Sequence, residues 1–460
     1  MNGDMMAFLD ENYLLGNETA KALYAEVAHL PVVDPHNHAD VRRIADNTPF
    51  GNPWELFAAT DHYVWEILRK RGVPERLITG DAPDHDKWTA MAKVFPECIG
   101  NPVYEWVHLD LRFLGFDELL CEETAEPLWN GVSAALAKEE NLPQNLIRRM
   151  NIDTMCSTDD PADTLEFHAK ANAAFGRTLI RPTWRPDRVT KIRKPDFAAY
   201  LRTLGARWGT GIRSTGDLLE VLKRSHDFFA AAGAIASDHG IRRPCPETAD
   251  RSEAEAILKK ALEGKEITAE EENRWTSFMM RSFGELDAEK GWVFQVHIGP
   301  VRDVRDFLFS TIGPDSGGDI SDHFLDIVPG LCAFLNQFDG RLKTVLYCLE
   351  PGHQASLAAI SRAFGENVRL GSAWWLNDTP VGMKRQLEYI SSVDLFYNFA
   401  GMVSDSRKIL SYSSRFEMFR RTFCDVVGDM VERGRIPAGL APKLARTVCF
   451  DGPKQFFNLN

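Results

Sequence analysis

No C-x-x-C pair occurs in this chain, and its eight cysteines (98, 121, 156, 245, 332, 348, 424, 449) are widely scattered. That distribution excludes a disulfide scaffold or a zinc ribbon. The opening M-N-G-D-M-M-A-F-L-D has no basic-then-apolar signal, so a reducing cytoplasm is the expected location. Apolar runs are short as well; the longest, near Phe228 to Ala236, is far from the length of a bilayer span. Positive charge is in deficit, with 53 Lys and Arg against 66 Asp and Glu and a formal net charge of −13. This argues against nucleic acid or an anionic membrane as the main partner, while a local arginine cluster would still admit a small anionic substrate. Low-complexity segments and short-period repeats are absent, and no G-x-G-x-x-G follows the first predicted strand. The last absence weighs against a dinucleotide-binding Rossmann sheet.

What the chain does have is room: 460 residues, 44% of them hydrophobic, suffice for two average domains or one elaborated barrel. The stretch Leu30 to Asp40, L-P-V-V-D-P-H-N-H-A-D, reads as a short buried strand that breaks off into polar residues. The same form recurs at Ile152 to Ser157, Thr178 to Thr183, Ala234 to Ala236, Trp292 to Val296, Thr344 to Leu349, Val368 to Ser372 and Met402 to Val403. Helical periodicity fills the intervals, as in Leu218 to Ala232, Phe324 to Phe338 and Gly382 to Ser391. Eight such alternations predict an α/β fold, a (β/α)8 TIM barrel whose active site lies at the C-terminal strand ends. Residues 1–40 then supply an N-terminal helix and the first strand, and 41–150 a helical insertion capping the mouth. Residues 151–460 complete the barrel, with a helical excursion at about 242–290 expected as a surface hairpin.

Collecting polar residues at the strand ends gives His36 and His38, Asp238 and His239, His297, and Asp405. Alternation along a strand points His36 and His38 to the same side, where both can hold one ion. A single such histidine is more often a core residue; the set points to a mixed nitrogen and oxygen site for one divalent metal, Zn²⁺ above all. A second cluster is cationic. Arg185, Arg302 and Arg407 each follow a strand end and suit capture of a carboxylate or phosphate, or else pairing with Asp187, Asp303 and Asp405. Asp61-His62-Tyr63 is either a capped helix start or a loop that lends an imidazole and a phenol to proton transfer. Trp374 and Trp375 are either core packing or an apolar wall for a sugar ring.

Taken together, the motifs resemble the uronate (glucuronate) isomerase family of the amidohydrolase superfamily. The likeness rests on D-P-H-N-H (34–38), D-H-Y-V-W (61–65), I-T-G-D-A (78–82), G-N-P-V-Y-E-W (100–106), S-T-D-D-P (157–161) and W-R-P-D (184–187). It continues through A-S-D-H-G (236–240), Q-V-H-I-G (295–299), G-P-D-S-G (313–317), L-Y-C-L (346–349), G-S-A-W-W-L-N-D (371–378) and D-S-R (405–407).

The resemblance implies a distorted barrel that interconverts an aldouronate and its ketouronate, glucuronate with fructuronate or galacturonate with tagaturonate. It implies metal at His36, His38 and Asp405 with His297 close by, and Arg407 and Arg185 near the substrate carboxylate. It places His62, Tyr63 and Asp238 beside the reacting carbons. From their positions after strand ends, Asp405 is also a candidate for proton transfer, and Arg302, His239, Trp374 and Trp375 are expected to line the substrate site. A small-molecule uronate as partner and a homo-oligomeric state are expected. The chain departs from the family pattern at Glu66, where a basic residue is usual, and in P-V-R-D-V-R-D after H-I-G, which lacks an asparagine run. One extra residue after D-S-R-K-I-L-S-Y leaves Arg415, Arg420 and Arg421 as alternatives for a downstream arginine. A hydrolase or decarboxylase on the same barrel is the rival activity, but the two-metal form usually needs a bridging ligand such as a lysine where this chain has Ser237-Asp238-His239. A sugar-acid-binding barrel without turnover is the rival from another class, and the intact His36, His38, Asp405 and Arg407 argue against it.

Overall fold

A computed structural model describes residues 8–459. Seven short parallel strands form the barrel wall: β1 (Val32–Asp34), β2 (Ile152–Cys156), β3 (Ile180–Arg181), β4 (Ala236–Ile241), β5 (Val293–Ile298), β6 (Lys343–Cys348) and β7 (Val368–Leu370). Their apolar, largely β-branched runs are buried on both faces, as a parallel sheet covered by helices requires. β1, β2 and β3 pair in that order, and so do β4, β5, β6 and β7. Trp184 joins the two groups, bridging Asp159 on one side and Ser237 on the other.

The eighth predicted strand, at Met402 to Val403, is not a ladder. Its segment closes the wall through separate bonds: Ala400 N donates to Leu370 O at 2.8 Å, Asp405 N to His36 O at 3.2 Å and His38 N to Ser406 O at 3.1 Å. Ser404 N donates instead to the Asp34 side chain at 3.0 Å. Asp405 itself has φ of +46°, left-handed backbone that breaks strand alternation. The fold is therefore a distorted (β/α)8 barrel.

Residues 41–150 are helical throughout, from Val41–Asp46 to Pro143–Arg149, and bury Trp54, Trp88 and Trp106 in a core continuous with that of the barrel. One of these helices, His62–Lys70, starts at the pocket, capped by the Asp61 side chain. Reciprocal capping boxes at Asp250 and Thr268 start the two helices of the 242–290 excursion, Arg251–Leu262 and Ala269–Lys290. The second is no surface hairpin. Trp275, Met279 and Phe283 recur at a spacing of four, form one apolar stripe and are buried against the barrel, where Phe283 meets Trp184. The long helix Ser411–Glu432 packs on the N-terminal helix Glu18–Val27 so closely that a Cβ at Gly428 would lie 2.8 Å from the Ala20 nitrogen. No helix among the described residues is long and apolar enough to cross a membrane.

Candidate metal centre and substrate pocket

At the C-terminal ends of the strands lies a cavity of about 550 Å³, lined by His36, His38, His62, Tyr63, Arg185, His297, Arg302, Trp374, Trp375, Asp405 and Arg407 among others. His36 and His38 leave β1 in an extended turn and meet Asp405 from across the closure. Nε2 of His36 is 3.0 Å, and Nε2 of His38 3.1 Å, from the same Asp405 oxygen. The other Asp405 oxygen accepts from the indole of Trp374. Burial alone would raise the Asp405 pKa, but its bonds to the two imidazoles hold it well below the usual carboxylate range.

The three donor atoms sit at the mutual spacing of ligands around one small ion. A further observation tests the fit. Nδ1 of His36 faces the Asp238 carboxylate at 3.5 Å while Nε2 faces Asp405, although a neutral imidazole has a single N–H to offer. Burial opposes charge on His36, yet Asp238 and Asp405 raise its pKa, so the position favours positive charge, carried by a second ring proton or by a cation at Nε2 with Nδ1–H turned to Asp238, as metal-bound histidines usually turn theirs to a carboxylate. The residues present therefore fit a divalent metal.

Asp238 lies beneath this centre rather than on the cavity surface, fully buried. Its carboxylate meets His297 Nδ1 at 2.6 Å and Arg185 Nη1 at 3.0 Å. Burial opposes its charge, yet Arg185, His297 and His36 hold its pKa well below the ordinary value. Burial lowers His297 to about 4 against the pull of Asp238, so this ring is neutral near pH 7, with a buried Nε2 that has no hydrogen-bond partner. The ring lies flat on Tyr347, 4.3 Å between centroids, and Gly371 leaves space for that tyrosine, since a Cβ there would overlap its ring. The donor atoms of His297 group with His36 and Asp238, and those of His38 and Asp405 form a separate set with His36.

The cationic cluster is partly structural and partly open. Arg185 is divided between Asp187 at 2.8 Å and Asp238 at 3.0 Å. Arg302 pairs with Asp319 rather than Asp303, and its guanidinium covers the Trp375 ring at 4.6 Å. Arg407 turns away from Asp405; its Nη1 is 3.0 Å from His62 Nε2, and its Nη2 is 2.6 Å from Asp315. Of the three downstream arginines only Arg415 lines the cavity, paired with Asp378 and lying 5.0 Å over the Tyr63 ring. Arg420 and Arg421 instead donate to backbone carbonyls of the N-terminal region.

Asp61 caps its helix, and that cap also turns His62 and Tyr63 into the cavity. His62 has a lowered pKa, from burial first and the Arg407 charge second; burial drives that of Tyr63 well above its usual value. Two expected site residues are not on the cavity wall: Asp238, buried beneath it rather than beside a reacting carbon, and His239, which the structure places elsewhere altogether. β4 extends past the predicted stop, so Asp238 and its neighbour point to opposite faces. The His239 ring is in the helix layer, stacked on Phe294 and Phe283, with Nε2 2.7 Å from Ser237 Oγ.

Sequence reasoning missed Lys191, Lys194, Asp303, Asp315 and Lys408, all of which line the cavity. Asp315 stands within the G-P-D-S-G motif, so a signal existed there without an assignment. That loop is fastened to the insertion: Arg69 Nη1 donates to Ser316 O at 2.5 Å, and Gly318 N donates to Glu66 at 2.7 Å. Glu66, the residue that departs from the family pattern, thus has a local partner.

Comparison with known proteins gives a consistent result. The family model described as glucuronate isomerase matches residues 5–457. A uronate isomerase of Thermotoga neapolitana is 49% identical over 451 residues, 98% of this chain and 99% of its own. The crystal structure of uronate isomerase from Thermotoga maritima superposes with a TM-score of 0.96 at 48% identity, covering 98% of this chain and 100% of that one. That of glucuronate isomerase from Caulobacter crescentus gives 0.93 at 28% identity, covering 99% and 97%.

Proposed function

The chain belongs to the glucuronate isomerase family, and from that membership we propose that it interconverts an aldouronate and its ketouronate by proton transfer in the cavity described above. One observation carries the proposal: three side chains at the spacing of metal donors and a guanidinium, Arg407, face the same cavity. Isomerisation of glucuronate to fructuronate, or galacturonate to tagaturonate, is served by both groups, one for the reacting end of the open chain and one for its carboxylate.

His36, His38 and Asp405 would hold one divalent ion, Zn²⁺ by the donor set, and that ion supplies electrophilic stabilisation of charge developing on oxygen. Arg407 binds the substrate carboxylate in place of Asp315, and Arg185, braced by two aspartates, adds positive potential. Trp374 and Trp375 wall the sugar chain. A base takes the proton from C2 and returns it at C1 through a cis-enediol, while O1 gains a hydroxyl proton and O2 loses one. His62, unprotonated near neutral pH, is suited to accept a proton; Tyr63, held protonated, is suited to donate one. Asp405 offers the nearest carboxylate. Asp238, beneath the metal centre, keeps His36 and His297 in place.

The chain's eight cysteines are all free, which supports a reducing cytoplasm. A homo-oligomer is supported by exposed Phe307, Ile320 and Phe324 in the segment between β5 and β6, and sedimentation velocity tests it. The activity itself is tested with purified protein and a panel of aldouronates and ketouronates, following the product with a ketouronate reductase. Turnover of neither glucuronate nor galacturonate, in metal-replete enzyme, would refute the assignment; hydrolysis or decarboxylation of another substrate would favour the rival chemistry.

A further inference from the structure

Immediately after Arg407 the chain buries a lysine. The Lys408 side chain is 2% exposed, and its ammonium lies 2.9 Å from Asp110 and 3.4 Å from Asp61, which are 0% and 5% exposed. These three charges come from three elements: the barrel closure, the helix Pro102–Phe113 and the cap of the helix His62–Lys70. Asp61 serves two partners at once, because its other oxygen accepts from the backbone nitrogens of Tyr63 at 2.9 Å and Val64 at 3.3 Å.

Stability alone gives no reason for such a triad. A buried ion group can often be replaced by apolar residues of similar volume without loss, since desolvation offsets the Coulomb attraction. What an apolar contact lacks is direction. An ammonium between two carboxylates fixes the rotation and depth of the Asp61 cap, and with them the first two side chains of the helix. Tyr63 is held further against Trp106, which belongs to the same helix as Asp110, with ring centroids 5.3 Å apart.

We propose that Lys408 is a positioning residue, whose ammonium locks the Asp61 cap to the segment carrying Asp405 and Arg407 and so aims His62 and Tyr63 at the substrate. The proposal rests on the acid–base role given to those two residues above. It accounts for a lysine that directly follows D-S-R and touches the cavity while pointing its charge away from the metal donors.

The test is the double variant Lys408→Met/Asp110→Asn. It removes one positive and one negative charge, leaves Asp61 as a cap, and so keeps the net charge of the cluster. Metal content and melting temperature should stay near those of the wild type. Because a misplacement of about 1 Å can cost about a hundredfold in rate, kcat should fall between about ten- and a hundredfold, with little change in KM. Amide exchange over residues 62–68, followed by mass spectrometry, should quicken in the same variant. Asp61→Asn serves as the variant that folds if the first does not, since asparagine caps a helix as well as aspartate does. It too should lose kcat, by weakening the hold of Lys408. Wild-type kcat in both variants overturns the proposal, and so does unchanged exchange. A wild-type enzyme inactive on every uronate refutes the isomerase assignment instead, and the exchange measurement then still decides whether Lys408 orders the helix start.

Discussion

Replacing Asp315 by asparagine should make the enzyme bind its substrate more tightly. The Asp315 carboxylate occupies Arg407 as a substrate carboxylate would, at 2.6 Å, so a uronate must displace it. How much that displacement costs depends on solvent. With 38% of the arginine side chain and 51% of the aspartate side chain exposed, the pair belongs with surface ion pairs. Such pairs contribute about 0.2–1 kcal/mol, well below the roughly 4 kcal/mol of a unit-charge pair at 4 Å in a dielectric of 20. Since 1.4 kcal/mol is tenfold, about 1 kcal/mol is roughly fivefold in affinity. The side-chain amide introduced by Asp315→Asn would still accept a weaker bond from Arg407, so the expected fall in KM is about two- to fivefold. The kcat should change little, because Asp315 lies on none of the metal donors and reaches His62 only at 4.0 Å. Initial rates with the better aldouronate, coupled to a ketouronate reductase, measure both parameters. At high ionic strength the difference between wild type and variant should narrow, as screening weakens an exposed pair. An unchanged or higher KM for the variant would refute the reasoning, and a higher one would show that Asp315 helps hold the substrate.

His36→Ala and Asp405→Ala should each lower bound divalent metal and activity together, since each removes one of three donors; elemental analysis of the purified variants with full occupancy would displace the metal centre. Arg407→Lys keeps the charge but loses the planar fork, so kcat/KM for an aldouronate should fall at least about tenfold, from about 1.5–3 kcal/mol for a charge-assisted bond. Kinetics equal to the wild type would exclude the clamp. Turnover in D₂O should leave deuterium at C1 of the ketouronate, detected by NMR, because the base exchanges with solvent between accepting and returning the proton. Complete retention of the original hydrogen, together with insensitivity to Tyr63→Phe, Asp238→Asn and His62→Asn, would refute proton transfer by these three residues.

The barrel was legible because seven of its strands are short, doubly buried apolar runs, and such runs announce themselves without help from distant residues. The eighth, at Met402 to Val403, reads as a strand but is none, because its partners are not ladder groups but the Asp34 side chain and the carbonyls of His36 and Leu370. Strand length had a chemical consequence at β4. A stop at Ala236 would have left Asp238 and His239 both free to face the mouth, whereas continued pairing through Ile241 sends only Asp238 inward. His36, His38 and Asp405 were legible as ligand types at strand ends. Arg407's actual partners, His62 and Asp315, were not, because they lie 345 and 92 residues away in segments outside the barrel wall. Nor could composition separate Arg415 from Arg420 and Arg421, which lie on one helix and differ only in what each side chain meets.

The closure at the eighth position also bears on time. Ser404 meets Asp34 across 370 residues and Asp405 meets His36 across 369, so the two halves of the candidate metal centre begin and end the barrel. During synthesis at about 5–20 residues per second, the first half waits well over ten seconds for the second. Contacts of such separation carry the highest loop-closure cost and slow the step in which they form. The seam should then be the last part of the barrel to assemble, and a nascent chain that stops before Ser404 holds two histidines without a site. In refolding, recovery of metal binding would lag behind recovery of helix signal, and the lag would measure the time taken to bring the ends of the wall together.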